Sequence, residues 1–192
     1  MKTFDKKRAL SWSAISSFEY DKEEWYRKYV LGIKPEDNKE MAFGRKFAQS
    51  IESGKPLAPV LTLSAVEHPF QVSFNGIPLI GYADSFCDKT FKKLEEYKTG
   101  KKIWDQKRAD EHRQIDMYLL MNLITNKIRP EDVECAITWI PTQENGDFSI
   151  SFVEPIRVHR FVTKRTTAQV LKFGAYIKNI YKDMELYAAT HP

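Results

Sequence analysis

A chain of 192 residues with 42% hydrophobic and 29% charged side chains is long enough for one domain with a full core. No apolar run approaches the roughly 20 residues that span a bilayer, and no apolar stretch of signal-peptide length follows the charged residues 1–8, so the expected location is the cytoplasm. The formal net charge of +4 permits a nucleic-acid partner without demanding one, and the two cysteines, Cys87 and Cys135, lack metal-ligand spacing and read as buried thiols.

Serines ahead of an apolar helical repeat predict the first helix. Ser13 is the expected N-cap, with Ser11 the near alternative. Ile15, Phe18, Trp25, Tyr26, Tyr29 and Val30 then recur at helical spacing as far as Gly32. Residues 35–39 read as a polar loop. A second helix over residues 40–53 has Met41, Phe43, Phe47 and Ile51 on one side and ends at Gly54. Residues 55–69, with three prolines, read as irregular structure.

From Phe70 the period changes to two. Phe70, Val72 and Phe74 alternate with polar residues, Asn75-Gly76 is a strong hairpin signal, and residues 77–87 form the return strand. Asp88-Lys89-Thr90 turns the chain into a third strand over residues 91–99, so the three strands are expected to pair as an antiparallel meander. A helix over residues 105–124 carries Ile115, Tyr118, Leu119 and Leu123 on one side and is ended by Arg129-Pro130-Glu131-Asp132. Residues 133–140 read as a buried strand. Residues 147–153, after an Asn145-Gly146 turn, and residues 156–162 read as two more. The terminal helix, over residues 163–189, turns Val170, Phe173, Ile177, Ile180, Met184 and Tyr187 inward and Lys164, Arg165, Lys172, Lys178 and Lys182 to solvent. The order predicts a single layered α/β domain over residues 1–192.

Two segments carry the chemistry. Asp84 sits in the apolar return strand, and Glu96 and Lys98 stand at i and i+2 on the next strand, on one face. Two carboxylates and an ammonium brought together by a hairpin suit a divalent metal and a phosphate. Mg²⁺ or Mn²⁺ held by Asp84 and Glu96 activates water and neutralises charge, and a lysine beside it stabilises the transition state. The carbonyl of Tyr97 is a further hard oxygen, whereas Glu95 faces the other way. Spacing alone leaves open a plainer reading, a strand acid beside a solvated ion pair. Gln114 and Tyr118, at i and i+4, share a helix face that can present an amide and a phenol to the lysine or a phosphate. Glu52 lies one turn beyond Ala48 on the second helix. Lys101, Lys102, Trp104, Lys107 and Arg108 interleave cations with an aromatic, as in a strand-tracking groove or a solvated loop; Arg45 is a further DNA-contact candidate.

Taken in chain order, these segments resemble the RecB-like, phage-exonuclease branch of the PD-(D/E)XK nuclease superfamily. Leu10-Ser11-Trp12-Ser13-Ala14-Ile15 looks like the family's S-x-S-x-(I/L) helix, and Gly44 to Glu52 like its G-x-x-x-H-x-x-x-E segment. Gly81-Tyr82-Ala83-Asp84 is similar to G-x-x-D, Glu96-Tyr97-Lys98-Thr99-Gly100 to (D/E)-x-K-T-G, and Gln114 to Tyr118 to Q-x-x-x-Y. The resemblance implies a restriction-endonuclease-like core, a central mixed β-sheet flanked by helices. It implies Mg²⁺- or Mn²⁺-dependent DNA cleavage, with Asp84 and Glu96 as ligands, Lys98 as the catalytic lysine, and Gln114 and Tyr118 in support. It also implies an exonuclease of phage recombination or DNA repair, an oligomer around DNA, and a separate helicase or single-strand annealing protein as partner. Two positions depart from the pattern. Ala48 stands where the family has histidine, so Glu52 is the residue placed to reach the metal from that helix. Asp21-Lys22 stands where some relatives begin an iron–sulfur cysteine set, so no such cluster is expected. A nuclease fold that only binds DNA or a protein is the alternative function.

Overall fold

The computed structural model describes residues 9–33, 36 and 38–191. Leu10 is tied to the backbone of Pro78 and Ile80 by two hydrogen bonds, so the chain stays extended up to Ser11. Ser11, not Ser13, therefore caps helix α1 (Trp12–Tyr20), its hydroxyl accepting the Ala14 amide at 3.2 Å. The apolar repeat does not run on as one helix. Asp21 turns extended and its carboxylate caps α2 (Lys22–Trp25), which widens into a π-helical turn over Tyr26–Val30. Helix α3 (Lys39–Glu52) is capped by Asn38 and turns Phe47 and Ile51 inward.

Six strands form one mixed sheet: β1 (Ala65–Phe74), β2 (Ile77–Phe86), β3 (Lys93–Gly100), β4 (Glu134–Glu144), β5 (Ile150–Phe152) and β6 (His159–Thr163). Strands β1, β2 and β3 form the expected antiparallel meander, with Asn75 and Gly76 both at positive φ in the first turn. Strand β1 begins at Ala65, not Phe70. Its Pro69 is tolerated because β1 is an edge strand. Strand β4 runs parallel to β3, and β5 and β6 pair antiparallel with separate stretches of β4.

The β3–β4 crossover is two helices, α4 (Gln106–Asp110) and α5 (Arg113–Asn126), where the sequence predicts one. The Ala109 and His112 carbonyls at the break accept backbone amides and take side-chain donors as well. Arg165 supplies them, reaching the carbonyls of Ala109 and His112 and pairing with Asp116 at 2.6 Å. Arg165 is thus buried ahead of the terminal helix, not on its solvated face. That helix, α6 (Thr167–Thr190), starts with a Thr166/Gln169 capping box. The main core lies between one sheet face and α1, α5 and α6. A smaller one, around Phe47, Ile51, Tyr97, Ile140 and Phe152, joins α3 and β5 to the other face. Cys135 is buried and Cys87 half-buried, both as free thiols. Among the described residues no helix is long and apolar enough to cross a membrane.

Candidate active site

The site begins where two strands part. β2 and β3 share only the pairs Ser85↔Glu95 and Phe86↔Leu94. At the next rung, where Asp84 would face Glu96, the Asp84 carboxylate reaches across and accepts the Tyr97 N–H at 2.6 Å. A side chain replaces a main-chain acceptor, which holds the carboxylate in the gap between the strands. Burial, followed by the charge of Glu96, raises the Asp84 pKa well above its ordinary value, against the opposing pull of Lys98.

Glu96 is only 2% exposed. Its Oε1 accepts from the Lys98 ammonium at 2.6 Å, and Lys98 also donates to Gln114 Oε1 at 2.8 Å. Gln114 donates to the Tyr118 hydroxyl at 2.7 Å, and Tyr118 donates to the Tyr82 carbonyl at 2.6 Å. The Tyr118 hydroxyl lies close to the Glu96 carboxylate, but its one proton goes to Tyr82, so Glu96 Oε2 is buried without a hydrogen-bond donor. An orphaned carboxylate oxygen in a protein interior is costly and rare.

The sequence reading missed His112, which closes this relay. Its Nε2 lies 3.2 Å from Gln114 Oε1. Its ring stands edge-on to Trp104, with centroids 5.1 Å apart, and to Trp12 at 6.1 Å. Burial, and then the neighbouring Lys98 charge, depress its pKa to about 4, so the imidazole is neutral at pH 7 and its Nε2–H tautomer serves as the donor that Gln114 Oε1 accepts. Two aromatic clamps at the α4–α5 break are the tertiary signal; nothing in the linear pattern around His112 announces them.

Gly81 is required by this arrangement. A Cβ there would lie 2.8 Å from Met121 Cε and 2.9 Å from Tyr118 Cε1. Gly81→Ala should displace the Tyr118 ring and cost about 1–3 kcal/mol in a denaturant melt.

The other candidates take separate places. A partly open cavity of about 130 Å³ between α3 and the sheet is lined by Gly44, Ala48, Glu67, Asp84, Tyr97 and Thr99 among others. Ala48 therefore faces the space beside Asp84. Glu52 is exposed at the end of α3 and absent from that lining, but close enough for its charge to act on Glu67. A groove of about 640 Å³ runs from Lys98 and Gln114 past Tyr82 to Ser13 and Tyr20 on α1. Glu95 points to the opposite face, where Arg160 and Thr138 satisfy it. Trp104 is 7% exposed beneath Arg108, whose guanidinium lies 4.1 Å from its ring centre and donates to the Ile103 carbonyl. That pair supports His112 and offers no aromatic face to solvent. Lys101, Lys102, Lys107 and Arg45 are exposed, and Lys101 pairs with Glu144 at 2.8 Å.

The donors fit a hard divalent cation. Carboxylate oxygens of Asp84 and Glu96 are the ligand type Mg²⁺ takes, and Mg²⁺ needs only one or two of them because it keeps several waters. Among the described residues no three His, Cys, Asp or Glu side chains are grouped closely enough to hold a metal together. No family model and no curated protein matches the chain. Among solved structures, the crystal structure of SSO0001 aligns over 95% of this chain and 77% of its own, with a TM-score of 0.40 and 14% identity.

Proposed function

We propose that this chain is a Mg²⁺- or Mn²⁺-dependent deoxyribonuclease on a restriction-endonuclease-like core. The observation that carries the reading is the orphaned Oε2 of a buried glutamate, beside a second buried carboxylate and a lysine held by a fixed relay. The RecB-like resemblance of the same residues adds the substrate, DNA, and favours an exonuclease acting in recombination or repair.

Asp84 and Glu96 would hold the cation, with the Tyr97 carbonyl as a further oxygen donor. Such a cation supplies a polarised water and neutralises the charge that gathers on phosphorus. Lys98 is positioned to steady the attacking water or a phosphate oxygen, since Glu96 and Gln114 hold two of its three donor directions and leave a third. Gln114 is locked by Tyr118 on its amide nitrogen and by Lys98 and His112 on its oxygen, so the ammonium cannot swing away. The groove past Tyr82 leads to this lysine and is the proposed path of a strand, with Lys101, Lys102 and Lys107 beyond it to neutralise phosphates. A helicase or annealing protein, and an oligomer around DNA, belong to the same proposal.

The test uses purified protein with end-labelled linear DNA and closed circular DNA, in Mg²⁺, Mn²⁺ or EDTA. Metal-dependent loss of the linear label with the circle intact is the expected result. Cleavage of the circle would make the enzyme an endonuclease. Binding of DNA with no degradation in any metal would move the chain to the non-catalytic binding reading.

A further inference from the structure

Counting outward from the Asn75-Gly76 turn places Glu67 of β1 opposite Asp84 of β2, between the pairs Val66↔Ser85 and His68↔Ala83. Continuing the β2–β3 register places Asp84 opposite Glu96. Three acids from three adjacent strands thus stand at one level of the sheet, where β2 and β3 have already parted and the β1–β2 pairing skips Glu67.

Strands β1 and β2 both abandon normal alternation at this row. Val66 packs with the α3-side core, whereas Phe70 and Val72 pack with the main core, so the faces exchange between them. The exchange falls on Glu67, which adopts φ +48, a conformation side chains other than glycine and asparagine rarely take. In β2, Ala83 lies in the main core while the Ser85 hydroxyl turns away to accept the Leu63 N–H at 2.6 Å. These paired irregularities bring the Glu67 and Asp84 side chains to the same cavity beside Ala48. Like charges opposite one another in a sheet are destabilising, and neither carboxylate has a cationic side chain in the cavity lining. Glu96, outside the cavity lining, adds a sign of a ligand: its Oε2 is buried and unpartnered, and its charge acts on both Asp84 and Glu67.

We propose that Glu67 is a third carboxylate of the cation site, drawn together with Asp84 and Glu96 when a divalent ion binds; without the ion the three are not grouped closely enough to hold one. The proposal rests on the metal-dependent reading above and deepens it. The strained backbone at Glu67 is what turns its carboxylate out of β-strand alternation toward Asp84. The small Ala48 side chain leaves the room, and water completes the ion's shell.

The experiment measures Mn²⁺ binding to the full chain by calorimetry and by the loss of free-ion EPR signal, for wild type, Glu67→Gln and Glu67→Asp, with thermal melts in EDTA alongside. Glu67→Gln should weaken Mn²⁺ affinity about ten-fold or more, while melting in EDTA at the wild-type temperature or above it. Glu67→Asp, which keeps the charge and shortens the reach, should also weaken binding. Wild-type affinity in either variant would overturn ligation by Glu67 and leave the Asp84–Glu96 site standing. A lower melting temperature for Glu67→Gln in EDTA would also overturn it, because Glu67 would then be a structural acid. No Mn²⁺ binding by wild type would overturn both this inference and the nuclease reading.

Discussion

Lys98→Ala is expected to lower metal-dependent DNA degradation by about a hundred-fold or more, and to destabilise the fold at the same time. The two losses have different origins. The rate falls because no ammonium remains beside the reacting phosphate. Stability falls because Glu96, 2% exposed, loses its one hydrogen-bonded cation and becomes a buried, uncompensated charge. Breaking such a pair from one side costs about 3 kcal/mol, or about 6–12 °C in a domain of this size. The double variant Lys98→Ala/Glu96→Gln separates the effects. Its neutral amide has no charge to strand, so most of the lost stability should return in an EDTA melt while activity stays absent. A single variant that melts like wild type would contradict the buried pair. One that cleaves like wild type would remove Lys98 from the chemistry.

Asp84→Asn should show the opposite sign in stability and the same sign in activity. Folded Asp84 holds its proton more tightly than the unfolded chain does, because burial and then the Glu96 charge disfavour its anion. Its contribution to stability is complete below the unfolded value, near 3.8, and is lost as pH rises through the raised folded value. Glu67, raised by burial, then by Glu52 and Glu96, behaves alike from an unfolded value near 4.5. In EDTA the wild-type melting temperature should therefore fall relative to Asp84→Asn as pH increases from about 4 upward. Added Mg²⁺ should oppose that fall in wild type, since a cation favours the ionised carboxylates, and should do little for Asp84→Asn. DNA degradation by Asp84→Asn should drop about a hundred-fold or more at neutral pH. Parallel pH profiles of the two proteins in EDTA would refute the buried, charge-crowded placement of Asp84.

The residues most legible in the sequence were those whose geometry is local. Glu96 and Lys98 share a face because a strand has period two, and Gln114 and Tyr118 meet because a helix places i and i+4 together. The antiparallel meander followed from Asn75-Gly76 and the Asp88-Lys89-Thr90 turn. Glu67 was countable from the same hairpin. It was passed over because Pro69 and the prolines before it made residues 55–69 look irregular. An edge strand accepts what a central strand rejects.

What the chain determined by itself is the set of elements, their approximate order, and which polar side chains share a face. Those depend on backbone periodicity and turn chemistry, which act over a few residues. Tertiary structure alone decided three things. Leu10 is anchored on β2, so α1 starts from Ser11. Arg165 supplies buried donors at the α4–α5 junction, where His112 turns into the relay. Strands β2 and β3 part after two pairs, so that Asp84 fills the gap and Glu96 keeps one oxygen without a partner. Each depends on hydrogen bonds and burial between residues far apart in sequence, where no local propensity reaches.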